Sequence, residues 1–121
     1  MFSFNSKQNN VFFLLLSLVT LTGFGQEKHL KNIKQLTFGG DNAEAYFNPK
    51  GNKLTLQVTN KAFGVSCDQI FMLDLQAQEF NEKSLQLVST GKGRTTCSYY
   101  MPDGKHIIYA STHAADHACP A

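Results

Sequence analysis

The chain has little of what would point to chemistry. Its three cysteines are an odd number among 121 residues, and none are spaced as Cys-x-x-Cys. At least one thiol therefore stays outside any internal pairing, and a dithiol redox motif is excluded. There is no G-x-S-x-G, which removes the nucleophile elbow of the α/β-hydrolases. No two carboxylates have a defensible shared site for paired acid–base work. Charge of one sign is scarce too: eleven Lys and Arg stand against nine Asp and Glu. That balance supplies no basic stripe for a phosphate backbone and no polybasic membrane patch, so no nucleic acid is expected as a partner. No catalytic residue, metal or cofactor is expected. Long apolar runs are also missing, since residues 11–21 reach only about half of the ~20 residues that a membrane span requires.

That short apolar stretch has another use. Lys7 precedes it, and Gly23-Phe24-Gly25 follows with small residues at the positions that a signal peptidase reads. Residues 1–25 therefore read as a secretory signal peptide, cleaved between Gly25 and Gln26. The first cysteine is Cys67, far from that point, so a lipoprotein anchor is not expected. The mature protein is expected in the periplasm or outside the cell, without stable membrane insertion.

What the chain does have is a repeat. Tyr46-Phe47-Asn48-Pro49-Lys50-Gly51-Asn52-Lys53-Leu54 returns 53 positions later as Tyr99-Tyr100-Met101-Pro102-Asp103-Gly104-Lys105-His106-Ile107. Upstream, Gln35-Leu36-Thr37 returns as Gln86-Leu87-Val88. Each copy reads as a hairpin: an aromatic run, a turn with Pro second and Gly fourth, then an aliphatic run. Residues 69–75 read as a third strand and 84–88 as a fourth. Four short strands in about 50 residues, each joined to the next by a turn, have the pattern of a propeller blade. A small antiparallel sandwich holding two similar hairpins is the alternative.

With the intervening strands, the F/Y-x-P-x-G-x-x-I/L turn resembles the WD-like β-propeller repeat of TolB-type exported proteins. Pro102-Asp103-Gly104-Lys105 matches the usual Pro-Asp-Gly-Lys turn of that family. The first copy departs from it, with Lys50 in place of Asp and Asn52 in place of Lys. The departure is expected to weaken the local hydrogen bonding of that turn. The resemblance covers residues 30–112 and implies an all-β chain of four-stranded antiparallel blades forming an incomplete propeller. Residues 26–37 would be an N-terminal strand of the ring-closing kind, 38–90 a first blade, and 91–121 the first half of a second. About one and a half blades leave a strand edge and an apolar face uncovered. The chain is thus expected to be part of a longer reading frame, or to find its missing blades in trans.

The blade pattern also organises the chemistry-bearing residues. It puts Cys97 at the start of an inner strand, opposite Ile108 when Met101 pairs with Gly104. It puts Cys67 and Cys119 in loops on the same face. A Cys97–Cys119 bridge, stapling a loop to its own blade, is the expected one. Cys67–Cys97, or a reduced state, are the alternatives. His113, Asp116, His117 and Cys119 have zinc-ligand chemistry, but they fall in a loop without a recognised zinc spacing, so they read as a solvated segment. Gly91-Lys92-Gly93-Arg94-Thr95-Thr96 looks like a phosphate cradle, yet it leads into a strand where a Walker loop leads into a helix. It reads as the connection between blades, with Lys92 and Arg94 facing a partner. His106 reads as an ordinary surface position.

The resemblance implies recognition without catalysis: a protein-binding or scaffold module whose partners are envelope proteins or peptides. The alternative is the N-terminal propeller of an exported peptidase whose catalytic domain is missing from these residues.

Overall fold

A computed structural model describes residues 29–121. The signal-peptide assignment lies outside them. Two compact units are defined, Met1–Ile33 and Lys34–Ala121. Of the first, residues 29–33 are described, and they are exposed and carry no strand. No helix among the described residues is long and apolar enough to cross a membrane.

The second unit is all-β. A four-stranded antiparallel meander runs β1 (Asp41–Phe47), β2 (Lys53–Asn60), β3 (Val65–Asp74), β4 (Leu85–Leu87). A separate two-stranded antiparallel sheet, β5 (Thr95–Tyr100) and β6 (Ile107–Ser111), follows. The expected strands are present, and neither sheet closes on itself. The stretch expected as a ring-closing strand forms none from residue 29 to residue 37.

Alternation makes the first sheet two-faced. Leu54, Leu56 and Val58 of β2 gather with Val65, Phe71 and Leu73 of β3 in one buried cluster. Leu36, Phe63, Leu75, Phe80 and Leu85 pack against it. Burying each Leu or Phe of the central cluster contributes roughly 1.5–3 kcal/mol, and the partly buried ones around it less. The opposite face of β2 presents Thr55 and Gln57, and there β5 lies across it. Ser98 donates to Thr55 at 2.8 Å in a buried contact, and Thr96 donates to Gln57 at 2.7 Å. The rings of Tyr46 and Tyr99 meet at 5.2 Å, a tilted arrangement favoured by their quadrupoles. These two tyrosines are equivalent positions of the repeat. The hairpin thus stacks on the first sheet with the repeat in register.

The two turns correct one expectation. Asn48 N–H donates to Lys53 O at 2.9 Å, and Met101 N–H to His106 O at 2.9 Å, so each hairpin closes on a six-residue loop. The expected pairing of Met101 with Gly104 is therefore the inner bond of a wider turn, running from Gly104 N–H to Met101 O. In the second turn, Asp103 Oδ1 accepts from the Lys105 and His106 amides at 2.9 and 3.1 Å. In the first, Asn48 Oδ1 accepts from the equivalent Asn52 and Lys53 amides, both at 3.0 Å. Lys50 does not weaken its turn, because Asn48 supplies the missing acceptor from two positions earlier.

Candidate functional site

The functional residues expected from the sequence gather at the end of the sheets opposite those turns. Here the β2–β3 connection, the 88–94 connection and the segment after β6 come together. Asn60 caps the short 3-10 turn Lys61–Phe63 by accepting from Ala62 N–H. Gly64 closes the turn at φ 73, a conformation open to glycine. So compact a connection lets β3 begin at Val65. Cys67, expected in that loop, is consequently inside the strand.

Cys67 is disulfide-bonded to Cys119, with the Cα atoms 5.7 Å apart, and Cys97 is free and exposed. The expected Cys97–Cys119 bridge is not formed. Two local causes shift Cys97 out of place. The wider turn moves the β5–β6 register, so that Tyr99, not Cys97, lies opposite Ile108. A bulge between Thr96 and Tyr99 then puts Cys97 at φ 53. The bridge that does form ties β3 of the first sheet to the segment following the second. It staples neighbouring repeats, as the Cys67–Cys97 alternative would have done, with a different partner.

A buried glutamine organises the connection between the sheets. Gln69, 1% exposed, donates from Nε2 to Gly93 O at 2.8 Å. Its Oε1 accepts from Ser89 Oγ at 2.7 Å and from Gly91 N–H at 3.1 Å. Ser89 Oγ in turn accepts from Ile70 N–H at 2.9 Å. With both the amide nitrogen and the amide oxygen of Gln69 bonded, the network offsets the cost of burying it. The backbone amides of residues 91–94, which a phosphate cradle would aim at its ligand, are committed internally. Gly91 N–H goes to Gln69, Lys92 N–H to Thr90 Oγ1, Gly93 N–H to His117 O and Arg94 N–H to Thr112 Oγ1. A phosphate would find none of these four donors free.

Arg94 and Lys92 part company. The Arg94 guanidinium lies 3.6 Å from Asp68 Oδ2, and its Nη2 reaches toward Cys119 Sγ at 3.8 Å. Asp68 also accepts from Thr59 Oγ1, and its backbone carbonyl accepts from Thr95 Oγ1. Arg94 thus pins the 88–94 connection to β3, a half-exposed pair of modest strength, while Lys92 is exposed at the tip. The zinc-like set does not converge. Cys119 is in the bridge, His113 Nδ1 lies 2.7 Å from Ser111 Oγ, and Asp116 Oδ1 accepts from Ala118 N–H. Among the described residues no three His, Cys, Asp or Glu side chains gather as metal ligands.

Two of the cavities among the described residues adjoin the sheets. A cleft of about 60 Å³ at this end, lined by Ser66, Cys67, Gln69, Gly93 and His117 among others, has room for little more than water. A larger one of about 310 Å³ opens over the apolar face, between Leu36, Ala43, Ala45, Leu54, Leu56 and Leu73. Thr37, Asn42 and Glu44 supply its polar lining.

Perturbed titration lies elsewhere. At the second turn, the His106 ring beside it and the two turn amides hold the Asp103 carboxyl down to about 2. Nδ1 of that ring lies 2.6 Å from Asp103 Oδ2, so His106 is not the isolated surface position expected. Burial, then the charge of Asp74, push the Tyr100 hydroxyl up, and that hydroxyl has no hydrogen-bond partner.

The sequence reading missed Gln69, Ser89 and Asp68. A glutamine heading an Ile-Phe-Met-Leu run was the available signal for the first. Nothing local marked the other two.

Comparison with known proteins finds no match: no family model, no curated protein and no solved structure matches the chain.

Proposed function

We propose that this chain is a non-catalytic, propeller-type binding module of an exported protein, docking envelope proteins or peptides through the loop end that carries Lys92. One observation carries the reading. The second copy of the repeat lies on the first with equivalent residues in contact, Tyr46 against Tyr99, as adjacent blades of a propeller do. The Cys67–Cys119 bridge agrees with an oxidising compartment. The Gln69 and Arg94 contacts make the loop end a rigid platform, and a preordered loop loses less freedom on binding. Lys92, like Lys61 of the β2–β3 connection, is an exposed cation at that end with no side-chain partner among the contacts described.

The test is site-specific photocrosslinking in exported protein. A probe replacing Lys92 should capture a reproducible set of envelope proteins, while the same probe at Lys50, in the first turn, should not. Equal capture from both positions, or none above background, contradicts the assignment.

A further inference from the structure

The two sulfurs of the Cys67–Cys119 bridge sit in different surroundings. Cys67 is buried in β3, and Cys119 is exposed in the segment after β6. A nucleophile from solvent therefore reaches Cys119 Sγ before it reaches Cys67 Sγ. The exposed sulfur also has a cation against it. Arg94 Nη2 donates to Cys119 Sγ at 3.8 Å, while the same guanidinium lies 3.6 Å from Asp68 Oδ2. A guanidinium beside a sulfur favours the thiolate over the thiol, and so favours the reduced form of the bridge. Exposed bridges, and bridges whose reduced form is stabilised, are the readily reduced ones.

Breaking the bridge would be felt at the loop end. Cys119 and His117 form one wall of the small cleft there, and Ser66, Cys67 and Gln69 belong to the other. His117 O accepts from Gly93 N–H at 2.9 Å, two residues before the bridge. The bond from Ala118 N–H to Asp116 Oδ1 stays inside the segment. With Cys119 free, a single main-chain bond is left to hold His117 against Gly93. The bonds from Thr112 N–H to Arg94 O and from Gln69 Nε2 to Gly93 O do not depend on the bridge, so the sheets stay in place.

We propose that the Cys67–Cys119 bridge is a reversible latch, opened by a dithiol reductant, that releases residues 117–121 and removes one wall of the docking face beside Lys92. The consequence for docking rests on the function proposed above; the chemistry of the latch does not. A thiolate of the reductant attacks Cys119 Sγ, the S–S bond breaks, and the Cys67 sulfur leaves with the electron pair and takes a proton. The second thiolate of the reductant then attacks the reductant sulfur of that mixed disulfide. Cys119 leaves as a thiolate beside Arg94, and the reductant departs as an intramolecular disulfide. The reductant has lost two electrons and two protons, the chain has gained the electrons, and the protons end on Cys67 and in solvent. An exported compartment kept oxidising kinetically, without a thiol buffer, lets one dithiol act on one bridge.

The probe is dithiothreitol, applied to the folded chain at graded ratios of reduced to oxidised form, with thiols trapped by alkylation and mapped by mass. Cys67 and Cys119 should open together while amide exchange stays slow in β2 and β3 and rises at Gly93 and across residues 117–121. Arg94→Gln should shift the equilibrium about two- to fivefold toward the bridge, and Arg94→Lys should restore it. Asp68→Asn, which removes the competing carboxylate, should shift it the other way. The sign separates the latch from a purely structural part for Arg94, because loosening the loop end would make the bridge easier to reduce. A bridge that yields only when β2 and β3 unfold is a permanent staple and overturns the proposal. Equal or easier reduction in Arg94→Gln overturns it, as does exchange at Gly93 that ignores reduction. Crosslinking from a probe at Lys92 should change when the bridge opens, and identical capture in both states overturns the proposal. An opened latch with no capture in either state sides with the latch and against the docking reading.

Discussion

Asn48 and Asp103 occupy different positions of two equivalent turns, yet their side-chain oxygens accept from the same pair of amides. Asn48 reaches forward to Asn52 and Lys53, and Asp103 reaches forward to Lys105 and His106. Each turn has the acceptor where the other has a residue unable to serve, Lys50 in one and Met101 in the other. Asn48 is buried and Asp103 exposed. Asn48→Ala should therefore strand two amides and destabilise the fold by about 1–3 kcal/mol, with Asp103→Ala costing less. Denaturant midpoints of the two variants would check the order, and equal values would break the argument.

The second turn should be acid-sensitive in a narrow window. The Asp103 carboxyl falls from its ordinary 3.8 to about 2 in the folded chain. Its contribution is then complete above pH 3.8 and disappears as pH falls through about 2. Carboxyl chemical shifts followed by NMR should give that low midpoint, and Asp103→Asn should remove the dependence. A midpoint at the ordinary value would show that His106 and the two amides do not hold the carboxylate.

Gly93 and Gly51 share a left-handed backbone, at φ 60 and φ 69, and differ in surroundings. A Cβ on Gly93 would meet Thr112 Oγ1 at 2.7 Å and His113 N at 2.8 Å, whereas one on Gly51 meets nothing within 4 Å. Gly51→Ala should cost only backbone strain, about 1–2 kcal/mol. Gly93→Ala should add roughly 1–3 kcal/mol of overlap and loosen the segment after β6. Thermal melts of the two variants would separate these costs, and a Gly93→Ala protein as stable as Gly51→Ala would contradict the close approach.

Cysteine mapping gives an independent check on the stapled repeats. Non-reducing peptide analysis should recover Cys67 joined to Cys119, with Cys97 alkylated without prior reduction. Cys97→Ser should leave stability nearly unchanged. Removing the bridge, which spans 52 residues of sequence, should cost about 2–5 kcal/mol.

Much of the strand pattern was legible, because β2 and β3 combine alternation or β-branching with Pro-x-Gly turns. The partner of Cys119 was not legible, and the reason is local. A register count from the turn requires the loop length, and Asp103 lengthens the loop by two residues through bonds that a Pro-Gly pattern does not encode. The Cys97 bulge adds a second offset. Gln69 was hidden for the opposite reason: its partners Ser89, Gly91 and Gly93 lie 20 or more residues away, beyond any periodicity. Lys92 and Arg94 looked alike in sequence, and only the fold places Asp68 beside one of them.

The central claim is that successive repeats stack face to face with equivalent residues in contact. Through-space NMR on the oxidised chain tests it most directly. The account predicts cross-peaks between the Tyr46 and Tyr99 rings and between Thr55 and Ser98, alongside intact β1–β4 and β5–β6 ladders. Intact ladders without those inter-sheet cross-peaks would contradict it.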